Sequence, residues 1–383
     1  MTAEIVLSPA GETRSASFYR SRIRSDHRLD YDELDRIFAG EQAAPAEIEK
    51  PLEIARAAAA ALRDRRAGGA LEISTAEPQF EFDADGHVVR AHSVTQTEAH
   101  GLIEQLMILT NERVAEVCER RGVPTLYRVH ERPDPQRIAT LFEQLAALDV
   151  PTPALPDPEK LTAHQAEELA REASRLVSRE AERRGHGRAA YTSLVLRSLK
   201  PAFYSHHNVG HAGLGSPAYS HFTSPIRRYA DLIAHRALLS LLGAGEIEPE
   251  RAAVRDAGSW CSERERESMV IERDADKVCA AFLLERELFE SGWAREFEGE
   301  ISGVIAAGAF VRFGGDLGDV YEGFLPARRM RGDRYDLNET ETALVGRRSG
   351  REVKLGDPAR LKVDGVEAAR GRVDLVPVGA AGR

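Results

Sequence analysis

The pattern of apolar residues changes near Gly292, and this change constrains the fold more than any other feature of the sequence. Before it, apolar residues recur every three or four positions over long segments, a spacing that favours amphipathic helices. After Trp293, short segments such as FEGEISGVIAAGAFVRFGG and VKLGDPARLKV alternate apolar and polar residues between glycines. Closely spaced strands of this kind predict a small closed β-barrel. We therefore expect two domains, residues 1–292 and residues 293–383.

The first domain is expected to mix helices with β-hairpins, which makes the fold class α+β. Residues 3–20 alternate as a hairpin does, and Asp85 and Gly86 mark the turn of a second hairpin. Asp30 and Glu33 have the spacing of a capping box at the start of a short helix. Longer helices are predicted over residues 51–66, 97–121, 158–184 and 251–290, and from the PIRRY motif to Leu242. In the last long helix, the predicted buried face carries Ile271, Ala275, Val278 and Phe282.

Composition excludes several classes of protein. Hydrophobic residues make up 42% and charged residues 30% of the 383 positions, which is ordinary for a folded globular chain. No window has the ~18 consecutive apolar residues that a membrane span needs, and the N terminus has no signal pattern. Cys118, Cys261 and Cys279 lie far apart, so neither a disulfide framework nor a zinc site is indicated. We expect a cytoplasmic monomer with no membrane partner.

Charge is distributed unevenly in this acidic protein, whose formal net charge is −10. From Arg188 to Arg236 there are six basic residues and one acidic residue, together with five of the twelve histidines. From Pro326 to Arg372 there are twelve Lys or Arg residues and eight acidic ones. Two locally basic regions are compatible with a polyanionic ligand held at particular places, although chance clustering explains the charges equally well.

The densest motif is YSHFTSPIRRYADLIAHRALL. Ser224 is a natural helix N-cap, Pro225 suits the first helical position, and Arg227 falls in the first turn. A helix N terminus presents unpaired N–H groups that favour a phosphate, and Thr223, Ser224 and the arginine add donors beside it. The motif therefore predicts a phosphate cradle. The alternative is a well-capped helix on which Arg227 is merely exposed.

This motif, preceded by LRSLKPAFYSHHNVGHAGLG, resembles the signature region of the ribonuclease II/R (RNB) family of exoribonucleases. RSRIRSDHRLDYDELDRIF, LIEQLMILTNERVAEV and MVIERDADKVCAAFLL resemble further segments of that family, in the same order. FEGEISGVIAAGAFVRF resembles the S1-like OB-fold, a five-stranded barrel, that closes these enzymes. The resemblance implies an RNB catalytic domain that hydrolyses single-stranded RNA from its 3′ end and releases nucleoside 5′-monophosphates.

The family pattern implies roles for individual residues. Arg227 matches the arginine beside the scissile phosphate, and Glu272 is the second residue that we assign to catalysis. The residues assigned to RNA binding are Tyr31, Glu104, Thr223, Ser224, Arg228, Phe310, Phe313 and Tyr321. The last three would form a stacking platform on the barrel, with core packing favoured for at least one of them. Four positions depart from the family pattern. Ile73 replaces an aromatic residue that stacks on a base, and Pro326 replaces a histidine that contacts RNA. Ala212 and Gly215 replace a bulkier aromatic residue and an alanine.

The resemblance also implies Mg²⁺, held by an aspartate cluster that precedes the RIRSDHRLDY segment. This chain begins just before that segment, so we expect the metal ligands upstream of it and none within it. Asp26, Asp30, Asp32 and Asp35 are not predicted to replace them, because Asp30 caps a helix and Asp32 and Asp35 lie on a solvated face. The chain is interpreted as the C-terminal part of the catalytic domain with its barrel. A non-catalytic RNA-binding fragment and a scaffolding pseudo-enzyme remain as alternatives.

Overall fold

The computed structural model describes residues 1–71, 77–94, 96–155, 157–314, 320–330 and 332–378. Its contacts divide the chain into two compact units. The first comprises Met1–Leu71, Gln96–Arg132 and Lys200–Arg266, and the second comprises Glu72–Thr95, Pro133–Leu199 and Glu267–Arg383. The helical segment between residues 133 and 199 therefore shares a unit with the C-terminal strands.

The described residues form eight α-helices and fourteen β-strands. The helices are α1 (Tyr31–Phe38), α2 (Glu49–Arg66), α3 (Glu98–Arg121), α4 (Pro135–Ala147), α5 (Ala163–Arg184), α6 (Arg188–Ser198), α7 (Tyr229–Leu241) and α8 (Arg251–Ser291). The strands are β1 (Thr2–Leu7), β2 (Thr13–Tyr19), β3 (Glu77–Phe82), β4 (Val88–Val94), β5 (Tyr127–Val129), β6 (Phe203–Ser205), β7 (Phe297–Ile305), β8 (Gly308–Phe313), β9 (Tyr321–Pro326), β10 (Tyr335–Leu337), β11 (Ala343–Gly346), β12 (Glu352–Lys354), β13 (Pro358–Glu367) and β14 (Arg372–Pro377). None of these helices is long and apolar enough to cross a bilayer.

Helix α3 lies at the centre of the first unit. Its buried Val114 and Cys118 pack with Phe18 of β2 and with Ala234 and Leu238 of α7. The predicted N-cap is confirmed for α1, because the Asp30 side chain accepts a hydrogen bond from Glu33 N. The carboxylate of α1 residue Asp35 accepts the Ala99 N–H in the first turn of α3, which joins the two helices.

The five-stranded barrel predicted for the C-terminal region is confirmed. Strand order around the closed barrel is β13-β14-β9-β8-β7. β8 pairs antiparallel with β7 and β9, and β13 pairs antiparallel with β7. Gly323 permits close packing inside, because a Cβ there would lie 2.7 Å from Leu375 Cγ. A separate three-stranded sheet, β10-β11-β12, is inserted between β9 and β13.

Helix α8 has the predicted extent, but its buried face differs from the prediction. Ile271 is 70% exposed and Phe282 46% exposed, whereas Ala281, Leu284 and Leu288 are buried. Both sets of residues have helical spacing, so two apolar stripes lie side by side on this helix. The spacing in the sequence does not show which of the two stripes is buried, because burial depends on tertiary packing. The buried stripe is the one with Ala281, Leu284 and Leu288.

Candidate functional site

The TSPIRR segment is a turn, and the prediction of a helix starting at Ser224 is wrong. Residues 225–227 form the turn, and α7 begins only at Tyr229 with Arg228 at its N-cap. The Ser224 carbonyl accepts hydrogen bonds from Arg227 N (3.3 Å) and Arg228 N (3.1 Å). We call residues 222–228 the Arg227 turn. Arg227 lies at its exposed end.

The carboxylate of Asp231 explains why the segment turns. Asp231 is fully buried in the first turn of α7 and accepts the Ser224 N–H at 2.7 Å. It also accepts two hydrogen bonds from the Arg228 guanidinium, at 2.8 and 2.9 Å. A two-pronged contact of this kind fixes both partners. Arg228, predicted to bind RNA, therefore contacts Asp231 and holds the turn.

Two further side chains hold the start of the Arg227 turn. Asn111 of α3 is buried and accepts the Phe222 N–H at 3.0 Å. His235 of α7 donates its Nε2–H to the Phe222 carbonyl at 2.9 Å, and its ring stacks on the phenyl ring at 4.0 Å. Burial lowers the pKa of His235, which keeps the ring neutral, so its proton lies on Nε2.

Three residues that hold the Arg227 turn were not predicted from the sequence: Asn111, Asp231 and His235. The signal available was a pair of polar residues four apart on α7, Asp231 and His235, and an asparagine within the apolar stripe of α3. Their role cannot be inferred without the fold, because each makes a hydrogen bond to backbone that is distant in sequence or lies outside the helix. Thr223 Oγ1 is buried, and within the described part of the chain it has no hydrogen-bond partner.

Tyr31 and Glu104, both predicted to place nucleotides, belong to the first unit, where Tyr31 contacts His100. The Tyr31 ring is exposed and stacks on the His100 ring at 3.9 Å, with 19° between the planes. Thr97 Oγ1 lies 2.7 Å from His100 Nδ1 and holds this ring in place. Glu104 is exposed one turn after His100 on α3. An aromatic face and a carboxylate are thus available to a ligand in the first unit.

The second unit contains a groove of about 800 Å³. Its walls are strand β3, helix α8 and the barrel strands β8, β9 and β14. Its aromatic residues are Phe80, Phe310, Tyr321 and Phe324. Its basic residues are Arg273, Lys277, Arg312, Arg370 and Arg372, and its acidic residues are Asp274, Asp276, Glu322 and Asp374. The rings of Phe310 and Phe324 lie 5.2 Å apart, and Phe310 is 36% exposed. Aromatic rings beside basic groups are suited to single-stranded nucleic acid.

The stacking platform predicted from three barrel aromatics is wrong for two of them. Phe313 is 0% exposed and Tyr321 is 2% exposed, so both are core residues of the barrel. The Tyr321 hydroxyl donates to the Glu287 carboxylate at 2.8 Å, which ties the barrel to α8. Only Phe310 of the three keeps a surface position. Strand alternation explains the difference, since Phe310 and Phe313 point to opposite sides of β8.

The described carboxylates do not fit a catalytic metal site. Asp30 caps α1, and Asp35 accepts the Ala99 N–H. Within the described ranges, one group of metal-ligating side chains comes together: Asp83, Asp85 and His87, all exposed. They form the β3–β4 turn, where Asp83 Oδ1 accepts the N–H groups of the other two residues.

The structure describes one of two further residues that the sequence singles out. Glu272, assigned to catalysis, is exposed on α8 and belongs to the second unit, whereas Arg227 belongs to the first. Ile73 lies outside the described residues. The catalytic assignment of Glu272 stays a prediction.

Comparison with known proteins identifies the family. The RNB domain model matches residues 1–244, and the S1 RNA binding domain model matches residues 294–376. Since the first match covers more than half of the sequence, the chain belongs to the RNB domain family. The predicted family and its accompanying S1 domain are confirmed.

Curated relatives are much longer than this chain. Ribonuclease R of Aquifex aeolicus is 32% identical over 380 residues, which cover 98% of this chain and 51% of that protein. Ribonuclease R of Escherichia coli is 30% identical over 394 residues, which cover 98% and 46%. The chain thus spans about half the length of these relatives.

A solved structure has the same fold. Mycoplasma genitalium RNase R, in complex with ribose methylated single-stranded RNA, aligns with a TM-score of 0.85 at 24% identity. The alignment covers 98% of this chain and 57% of that one. The α+β fold with its terminal barrel is therefore shared with a ribonuclease R.

Proposed function

We propose that this polypeptide is part of a 3′→5′ hydrolytic exoribonuclease that acts on single-stranded RNA and releases nucleoside 5′-monophosphates. The observation that carries the proposal is the Arg227 turn. Two buried side chains, Asn111 and Asp231, and the partly buried His235 fix its backbone, yet Arg227 itself is exposed. A fixed backbone beneath an exposed guanidinium is what recognition of one particular phosphate requires. RNB family membership supports a phosphodiester as that group.

In this proposal Arg227 contacts the scissile phosphate. Negative charge builds on the phosphate oxygens as water attacks, so a guanidinium held beside them binds the transition state more tightly than the ground state. Tyr31 offers its exposed face to a terminal base, and Glu104 accepts hydrogen bonds from a sugar hydroxyl. The groove beside Phe310 receives another part of the strand through stacking and phosphate contacts.

We further propose that the enzyme uses Mg²⁺, as the family resemblance implies. When bound, such an ion activates the attacking water and stabilises the leaving oxygen. Because the described carboxylates do not form a site for it, this chain by itself should bind RNA and cut it poorly. Cys118, Cys261 and Cys279 form no disulfide, which is consistent with a reducing cytoplasm. We also propose that the chain is a monomer there.

The same observation favours a second candidate function, a non-catalytic RNA-binding fragment or pseudo-enzyme. One experiment separates the two. Single-stranded RNA labelled at its 3′ end is incubated with Mg²⁺ and either this chain or a version extended at its N terminus to the length of its relatives. We expect both proteins to bind RNA and only the extended one to release labelled mononucleotides.

Other outcomes contradict these proposals directly. An extended protein that binds RNA but releases nothing supports the pseudo-enzyme. Mg²⁺-dependent release by the 383-residue chain, abolished by Asp30→Asn and Asp32→Asn together, would show that the metal ligands lie within it. Failure of both proteins to bind RNA contradicts both candidate functions.

A further inference from the structure

In the inserted sheet β10-β11-β12, the turn between β11 and β12 is held by the buried carboxylate of Asp333. Asp333 precedes β10, and its side chain is 2% exposed. One of its oxygens accepts the backbone N–H groups of Arg348 (2.8 Å) and Ser349 (2.6 Å) in the β11–β12 turn. The other accepts the Arg334 N–H at 2.8 Å. These hydrogen bonds hold the pKa of Asp333 well below its usual range, so the carboxylate is charged.

Gly346 is required for this arrangement. A Cβ at this position would lie 2.4 Å from Ser349 Oγ and 2.8 Å from Asp333 Oδ2, closer than real Cβ atoms approach. The backbone closes the same turn, because Gly346 N donates to the Arg351 carbonyl and Arg347 N donates to the Arg334 carbonyl, each at 2.8 Å. The conformation of the turn is therefore fixed before any ligand binds.

Four exposed arginines extend from this fixed backbone, and we call them the arginine turn: Arg334, Arg347, Arg348 and Arg351. Arg347 makes a two-pronged ion pair with Asp336. The Arg348 side chain is 85% exposed and makes a longer ion pair with Asp333, at 3.7 Å. Arg334 and Arg351 have no ion-pair partner in the described part of the chain. Arg334 and Arg351 are consequently available to an external anion, and the largely exposed Arg348 can join them.

We propose that the arginine turn binds the phosphates of single-stranded RNA at nucleotides other than those at the 3′ end. This inference rests on the function proposed above and adds a contact separate from the barrel groove, which none of the four arginines lines. Guanidinium groups match phosphate oxygens in a two-pronged geometry. Tyr335, the neighbouring aromatic residue, is buried, so the contact is to the backbone and not to bases. Because Asp333 has already ordered the backbone of the turn, little backbone conformational entropy is lost on binding.

The test compares three variants of the full chain, with binding of a tetranucleotide and of a 20-nucleotide single strand measured over a series of salt concentrations. The first variant carries Arg334→Gln, Arg348→Gln and Arg351→Gln. The second carries Lys at the same three positions, which keeps the charge. The third is a control of equal net charge: Arg120→Gln, Arg121→Gln and Arg137→Gln, three exposed helical positions.

For the 20-nucleotide strand, the first variant should reduce the slope of log affinity against log salt by about 2, since each phosphate contact contributes about 0.7. Its affinity at low salt should fall about tenfold or more. The Lys variant and the control should keep the wild-type slope, and tetranucleotide binding should not change in any variant. Melting temperatures verify that all three variants fold.

Each other result has a definite meaning. An unchanged slope in the first variant, while the wild type binds the long strand, overturns the inference and leaves the proposed function standing. Equal losses in the first variant and the control also overturn it, because net charge and not the arginine turn would then be responsible. A wild-type chain that binds neither RNA overturns the proposed function itself.

Discussion

The Arg227 side chain and the backbone that carries it have different surroundings. The guanidinium is exposed, whereas its turn is held by buried groups of α3 and α7. This division allows the side chain to be replaced without loss of the fold. It makes Arg227 suitable for testing chemistry separately from stability.

In the N-terminally extended protein, Arg227→Ala should slow RNA cleavage by roughly 100–1000-fold, because loss of one charge-stabilising donor has an effect of this size. Affinity for a long strand should change little, since many contacts share its binding. Arg227→Lys should recover only part of the rate, because an ammonium group lacks the planar fork. Single-turnover rates with saturating RNA measure the effect. A folded Arg227→Ala protein that cleaves at nearly the parent rate contradicts the assignment.

His235 should act as a positioning residue through Arg227. His235→Phe keeps a ring against Phe222 but removes the Nε2–H donor, whereas His235→Gln keeps an N–H donor of similar reach. We expect the Phe variant to weaken binding of a tetranucleotide about three- to tenfold, since a buried carbonyl loses its partner. The Gln variant should bind close to wild type.

The control for a merely structural effect is a double-mutant cycle. If His235 acts through Arg227, the double variant Arg227→Ala, His235→Phe should bind the tetranucleotide no more weakly than Arg227→Ala alone. Additive losses would mean that His235 stabilises the unit generally and has no specific part in positioning the arginine.

Within the barrel, two phenylalanines of β8 should behave in opposite ways. Phe313→Ala removes a fully buried ring and should lower the free energy of unfolding by about 3–5 kcal/mol. Phe310→Ala should affect stability much less and should weaken RNA binding by roughly 1–3 kcal/mol, the usual contribution of one stacked base. Urea unfolding and fluorescence anisotropy measure the two quantities. RNA affinity unchanged by Phe310→Ala would show that no base stacks on it.

Helix ends illustrate which elements are predictable. α1 begins where its Asp30 cap indicates, and α3 ends at Gly122, whose φ of 69° suits glycine. These signals are local, involving residues within one turn of each other. The predicted start of α7 was wrong because Ser224 does not cap the helix. Its N–H instead donates to the Asp231 carboxylate, and the helix begins at Tyr229.

Stability of the whole chain should decrease as pH falls below about 6.5. Burial lowers the pKa of His221 to about 2 and that of His211 to about 3, so the folded state keeps both rings neutral. In the unfolded chain they bind protons below their ordinary pKa of about 6.5. The unfolded state then holds more protons, so the free energy of unfolding rises with pH across this window.

Between pH 7.5 and pH 5.5, each of these histidines should lower the free energy of unfolding by about 1 kcal/mol. Glu180, whose pKa is lowered to about 2 by Arg183 and Arg184, adds a further loss only below its ordinary value of 4.5. Urea unfolding at several pH values measures the profile. His221→Phe should make the free energy of unfolding depend less on pH between 7.5 and 5.5, with the contribution of His211 remaining. An unchanged profile would contradict the role of the His221 ring.

Local patterns were sufficient for the fold class, most helices, the barrel and the family, because spacing, caps and motifs act between residues that are close in the chain. Contacts between residues that are distant in the chain determined the remaining features of the fold and the site. The side chains of Phe313 and Tyr321 are buried because the strands that carry them pair into a closed barrel. The Arg227 turn and the arginine turn exist because single carboxylates, Asp231 and Asp333, accept backbone N–H groups from segments outside their own helix or strand. No residue pattern shows which distant N–H a buried carboxylate will accept, since that depends on the assembled fold.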